Sequence, residues 1–355
     1  MRISLKTSAA CAAVSAVALM LGTASPAQAA ALGWRQFLSQ HYGAATNASL
    51  YQSVLATGKN SAWALGGTDL TEATGGGRPV AVHWNGRGWS GVGMPAGVTS
   101  YIFAAGASSP SNIWAVTFLG GYILRWNGAR WSVAKHLTGF GELTGVTALS
   151  PSNVWVFGSS GSFQGLGTWH FNGRAWRQMP FHSVAGGLAT ASALSATNIW
   201  AIGNGPALPY TSIDHFNGRS WQRVSARALS GLLFRDIHAF SSSNVWVSAE
   251  SNGIGQPAWL VHFNGKAWTR IRVPFTLETD FFASDGRGGL WLTGQSLTGQ
   301  PFIIHRSPGG VWSRASIPAV LNDLALIPGT TSLWAAGSRA TKTGSNAVVW
   351  AHGPV

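Results

Sequence analysis

Short apolar runs separated by turn residues, not helical stripes, organise this chain. Residues 143–180 read LTGVTALSPSNVWVFGSSGSFQGLGTWHFNGRAWRQMP. VTAL is apolar and suited to a strand. SPSN predicts a turn, with Pro151 where a fixed φ favours type I geometry. VWVF is continuously apolar, as expected of a strand covered on both faces. A Gly/Ser-rich loop leads to GTWHF, a third strand. Asn172-Gly173 then predicts a two-residue type I′ hairpin turn, because both residues tolerate positive φ. RAWRQM is the fourth strand. The unit predicted is an antiparallel meander of about 45 residues.

The unit recurs. A tryptophan in the phrase Asn-Val/Ile-Trp, or a close variant, stands at Trp63, Trp114, Trp155, Trp200, Trp246, Trp291 and Trp334. A second series follows the phrase Trp/Phe-Asn-Gly, or at the last of them Ser-Pro-Gly-Gly, at Trp89, Trp131, Trp176, Trp221, Trp268 and Trp312. A four-stranded meander repeated at this period predicts an all-β, seven-bladed β-propeller. One blade cannot cover both of its faces, so neighbours stack and the repeated tryptophans fill the space between them. The blades are expected over about residues 48–95, 100–136, 142–180, 188–225, 232–274, 279–318 and 320–355.

Seven members of the first series meet six of the second. The last unit ends at Val355 after AVVWAHG (347–353), with His352-Gly353 read at the Asn-Gly position and no fourth strand. Residues 30–40 contain Leu32-Gly33-Trp34-Arg35-Gln36, matching the fourth-strand phrase of 175–178. The N-terminal strand is therefore expected to complete blade seven and close the ring, with Trp34 as the seventh partner.

Residues 1–29 read as a secretory signal: Arg2 and Lys6, an apolar run to Leu21, then Ala27-Gln28-Ala29. A secreted, extracellular chain is expected, without a membrane span and acting as a monomer. The one cysteine, Cys11, lies in that leader. The mature chain then holds no disulfide, no thiolate nucleophile and no cysteine-ligated metal. Arginine and lysine total 23 against 10 acids. The excess is read either as dispersed surface charge that aids solubility or as affinity for an anionic cell-wall or capsular polymer; no basic stripe is visible along the sequence, so nucleic acid is not expected.

Strand parity separates two faces. The tight Ser-Pro-Ser-Asn and Asn-Gly turns share one, here the turn face. The second-to-third-strand loops and blade connections share the other, the loop face, and differ from blade to blade. Loops on a rigid scaffold build sites, so the loop face is the expected binding surface. Near the channel on that side stand Arg235, Asp236, His238, Glu278, Asp280, Asn322 and Asp323, with Arg235, Asp280 and Asp323 read as equivalent positions. They are candidates for ion pairing, for a polar pocket, or for carboxylate catalysis. Tyr210 and Trp259 are candidate platforms for sugar rings or, equally, core or edge packing residues. His83, His170, His215 and His262, one per blade, cannot converge on one metal and read as architecture. No cofactor is implied.

SPSNIWAV (109–116) and VHWNGRGWS (82–90) resemble secreted bacterial propeller repeats of the loose WD-repeat-like, kelch-like and BNR Asp-box-like group. The resemblance implies the same architecture. No Trp-Asp dipeptide occurs, and asparagine replaces the Asp-box aspartate. What the resemblance implies about function divides in two: a non-catalytic module binding a glycan, cell-wall polymer or protein, or a glycan-active hydrolase or lyase using the channel carboxylates.

Overall fold

The computed structural model describes residues 33–71, 76–139, 141–158, 166–179, 188–204, 211–251, 256–275 and 278–355. The expected leader lies outside them. Among the described residues the chain forms seven four-stranded antiparallel sheets arranged as a ring. The innermost strands of blades one to seven are Ser49–Gly58, Ile102–Ser109, Leu143–Ser150, Leu188–Ser195, Leu232–Ser241, Glu278–Ser284 and Val320–Leu326. Each lies beside its successor, and the last lies beside the first.

The first described strand, Trp34–Gln40, pairs antiparallel with the last, Ser345–His352, and forms the outer strand of blade seven. Trp34 stands opposite His352 as Trp89 stands opposite Trp84 in blade one. His352 therefore takes the place of the aromatic residue before Asn-Gly, one position earlier in the repeat than the sequence suggests. Trp34 is 1% exposed and meets Trp291 of blade six edge-on at 5.4 Å. Phe37, on the same strand, packs edge-on against Trp334 of blade seven and Trp84 of blade one, at 5.1 and 6.0 Å.

One contact recurs around the ring. The second-strand tryptophan of each blade packs on the third-to-fourth-strand corner of the next. Trp63 meets Trp126 and Trp131; Trp114 meets Phe171 and Trp176; Trp155 meets Phe216. Trp200 meets Phe263 and Trp268. At blade six Arg306 replaces the aromatic residue and lies over Trp246 at 5.6 Å. Trp291 meets Trp34 and His352, and Trp334 returns to Trp84 and Trp89.

The one-per-blade histidines complete these contacts within their own blades. His83, His170, His215 and His262 lie on Trp63, Trp155, Trp200 and Trp246 with ring centroids 4.1–4.5 Å apart. His170, His215 and His262 each donate Nε2–H to an asparagine at the start of the second strand, at 2.9 Å. Burial holds the pKa of all four rings below the ordinary histidine value, and the Arg306 charge adds to the effect at His262. They are neutral spacers, as the repeat spacing implied.

The Asn-Gly turns differ from the expected two-residue type. Asn172 N–H bonds to Ala175 C=O, so the loop holds four residues. Asn172 Oδ1 accepts the amides of Arg174 and Ala175, and only Gly173 has positive φ, at 89°. The asparagine side chain does the work assigned to a left-handed backbone. A Cβ on Gly173 would lie 2.6 Å from Ser152 Cβ, so glycine lets the two turns of the blade touch.

Deleting residues 33–40 removes Trp34 and exposes the edge of Ser345–His352. Loss of one buried tryptophan alone costs about 3–5 kcal/mol. The urea midpoint of the shortened chain is expected to fall by at least that equivalent; an unchanged midpoint contradicts the closure.

Candidate functional site

Each inner strand has a free edge toward the ring axis, whose amides need acceptors. Near the loop face every inner strand carries a bulge, where the pairing register shifts. A bulge re-aims the extra residue. In blades one, five and seven it is Gln52, Arg235 and Asn322. In blade six the shift spans Asp280 and Phe281. Asp236 faces Ser248 as Asp323 faces Ala336. Asp236 and Asp323 are therefore the equivalent pair. Arg235 aligns with Asn322, one residue before Asp323, which corrects the alignment read from the sequence.

The two aspartates do the same job in different blades. Asp236 Oδ1 accepts the amide of Ile237 at 2.8 Å, and Oδ2 accepts the amide of Phe282 in blade six at 3.3 Å. Asp323 Oδ1 accepts the amide of Leu324 at 2.8 Å, and Oδ2 accepts the amide of Val54 in blade one at 2.9 Å. Ser53 Oγ donates to the same Oδ2 at 3.1 Å. Each carboxylate thus clips its own blade to the next.

His238 donates Nε2–H to Asp236 Oδ2 at 3.1 Å. Its ring lies edge-on to Phe282 and roughly parallel to Phe240, while its side chain stays 37% exposed. Burial opposes its charged form, but the Asp236 charge, the hydrogen bond to it and the Asp323 charge outweigh burial and raise its pKa. Asp323 belongs to blade seven and His238 to blade five, so this coupling crosses the span of blade six. Burial pushes the Asp323 carboxyl up to about 7 against its hydrogen bonds, and the charge of Asp236 adds to the rise.

The remaining candidates are separate from this trio. Arg235 forms an ion pair with Glu250 of its own blade. Asn322 is buried and donates Nδ2–H to Tyr51 C=O at 3.1 Å. Trp259 donates its indole N–H to Ser251 Oγ at 2.9 Å, and the Arg270 guanidinium lies over its ring at 5.7 Å. Tyr210 and the side chains of Glu278 and Asp280 lie outside the described residues. Among the described residues no group of three metal-ligating side chains is close enough to hold a metal ion.

Gln52 joins the set without having been singled out in the sequence. It is buried, and its Oε1 accepts no hydrogen bond. A buried acceptor without a donor is uncommon and costly. A ligand donor entering beside the bulge would satisfy it. Only its alignment with Arg235 and Asn322 distinguishes it from an ordinary polar strand residue.

No protein-family model and no curated protein matches the chain in sequence. Solved propellers match its fold. A catalytically inactive virginiamycin B lyase from Staphylococcus aureus, with quinupristin, shares 9% identity at a TM-score of 0.64, covering 90% of this chain and all of that one (100%). YCF48 bound to D1 peptide shares 10% at 0.58, covering 91% and 97%. A xyloglucanase from Xanthomonas campestris shares 15% at 0.58, covering 87% of this chain and 54% of that one. At these identities the likeness carries the fold alone: a seven-bladed propeller of tryptophan-rich repeats, on a scaffold that elsewhere serves both binding and catalysis.

The folded chain holds the Asp323 proton after an unfolded chain has lost its own. Between the ordinary carboxylate pKa, about 4, and about 7, the native state binds more protons, so stability falls as pH rises through that window. The raised His238 pKa acts in the same sense: its contribution is full below the ordinary histidine value and is lost as pH climbs through the raised one. The buried histidines with lowered pKa values act in the opposite sense, so the variant is read against the wild type. The change in urea midpoint from about pH 4.5 to about pH 7.5 is expected to be more favourable in Asp323→Asn than in the wild type. Equal changes contradict the assignment.

Proposed function

We propose that this chain is a secreted, non-catalytic recognition module that binds an extracellular glycan, cell-wall polymer or protein through its loop face. One observation carries the reading: the acids with described side chains are engaged within the fold. Asp236 and Asp323 accept amides of neighbouring blades, and Asp69 and Glu250 pair with arginines. Asp285 binds His305, Ser212 donates to Asp214, and Glu142 also has a partner. Hydrolysis of a glycosidic bond needs two carboxyl groups free to face the substrate. The structural neighbour bound to a peptide supports binding by a propeller of this outline.

A second reading, a lyase or hydrolase, has one observation in its favour. The Asp236–His238 hydrogen bond, coupled by charge across blade six to Asp323, whose carboxyl burial raises to about 7, has the make-up of an acid–base pair.

Residues 30–355 displayed to an array of glycans and cell-wall polymers, at low and at moderate salt, test the proposal. Retention of at least one ligand at moderate salt, with that ligand recovered intact, is expected. Fragmentation of the ligand, abolished by His238→Gln, decides for the enzyme.

A further inference from the structure

The turn face, uniform from blade to blade, carries its own chemistry. The Asn-Gly turns of blades one to five each hold one cation: Arg87, Arg130, Arg174, Arg219 and Lys266. All five are exposed. Lys59 and Arg287, also exposed, sit in first-to-second-strand turns of blades one and six on the same face. None of the seven takes part in the ion pairs Arg78–Asp69, Arg235–Glu250, His238–Asp236 and His305–Asp285 of the described residues.

Acids avoid this face. Its one described acid, Asp285, is buried and accepts from His305 at 3.0 Å and from the amides of Arg287 and Gly289. Asp69 and Glu250 lie at the loop-face ends of second strands, and Glu142 lies just before an inner strand. Asp214, Asp236 and Asp323 lie within strands.

The turns that carry the cations are built alike, although Arg130 stands one position later in its loop than Arg87, Arg174, Arg219 and Lys266. Each Asn-Gly asparagine accepts two amides of its own loop, as Asn85, Asn127, Asn172, Asn217 and Asn264 all do. The following glycine approaches the other turn of the blade: a Cβ on Gly128, Gly173, Gly218 or Gly265 would meet Ser111, Ser152, Thr197 or Ser243 within 3.0 Å. In blades two to five those residues belong to paired hydroxyls, such as Ser150–Ser152 at 3.3 Å and Ser195–Thr197 at 3.2 Å. A cation-bearing turn packed on a turn with two paired hydroxyls thus repeats on blades two to five.

We propose that the turn face docks a linear anionic polysaccharide bearing sulfate or phosphate groups. Arginine forks match the oxygens of such groups, and hydroxyls add donors. Unpaired like charges held on rigid turns repel one another, and a polyanion relieves that repulsion. A repeating site suits a repeating ligand. A lipid surface would need an apolar patch to insert. Of the large apolar side chains exposed among the described residues, Val133 lies on an outer strand and Leu297 in a loop-face connection, while Phe240 and Val311 lie toward the turn face on different blades, one on the inner strand of blade five and one in the outer turn of blade six. This face is opposite the one in the functional proposal and shares no residue with it.

The test compares two quintuple variants of the mature chain. One changes Arg87, Arg130, Arg174, Arg219 and Lys266 to Gln. The other removes the same charge from the loop-face half, at Lys135, Arg227, Arg272, Arg339 and Lys342. Titration with fluorescent dextran sulfate at about 50 mM salt is expected to show at least a roughly tenfold loss for the first variant, with a flatter salt dependence, and a much smaller loss for the second. Equal losses overturn the proposal, as does wild-type binding to phosphatidylglycerol vesicles or duplex DNA that exceeds binding to dextran sulfate. Circular dichroism and urea midpoints matched to the wild type show that each variant is folded; the substituted side chains are solvent-facing turn residues, so little change is expected.

Discussion

The ring depends on one contact made seven times: a tryptophan from the second strand of each blade seated on the outer corner of the next. Sheets stacked face to face have no covalent link other than the chain, and each alone leaves an apolar surface in water. A large aromatic side chain answers both needs, because it buries much area and prefers edge-to-face or tilted neighbours. In blades one, three, four and five an own-blade histidine packs on the tryptophan, and burial lowers that histidine's pKa. The last of these contacts requires a residue from the other end of the chain, Trp34, which joins blade seven to blade six.

The aspartates Asp236 and Asp323 are a second form of the same constraint. Where a free inner edge would leave amides unpaired, a carboxylate of the preceding blade accepts them. Their price is a buried charge, expressed as the raised pKa of Asp323 and of its distant partner His238. The inner strands so fixed leave the two faces free to differ. One is built from loops and connections of unequal length, the other from nearly identical turns.

Much of this was legible in the sequence. The tryptophan phrases gave the blade number, and the unmatched seventh phrase pointed to the closing strand. The histidines were legible because equivalent residues in four separate blades cannot meet one another. The aspartates were not. A bulge inserts a residue at a place that counting from the tryptophans does not reveal, so Asp323 was aligned one position away from its true counterpart, Asp236. The turn geometry was misread because Asn-Gly favours type I′ in isolation, whereas here the asparagine side chain supplies the hydrogen bonds. The cationic face escaped for another reason. One arginine every 45 or so residues looks dispersed along a chain, and only a ring of blades gathers such charges onto one surface.

The central claim is that the N-terminal strand locks the ring through the Trp34–Trp291 contact. A double-mutant cycle measures it directly: urea unfolding of the wild type, Trp34→Ala, Trp291→Ala and the double variant. Direct contact predicts that the double variant loses less than the sum of the single losses, with a coupling of about 0.5–3 kcal/mol. Additive losses, within about 0.3 kcal/mol, would show that the two tryptophans act independently and that the ring is not closed by this contact.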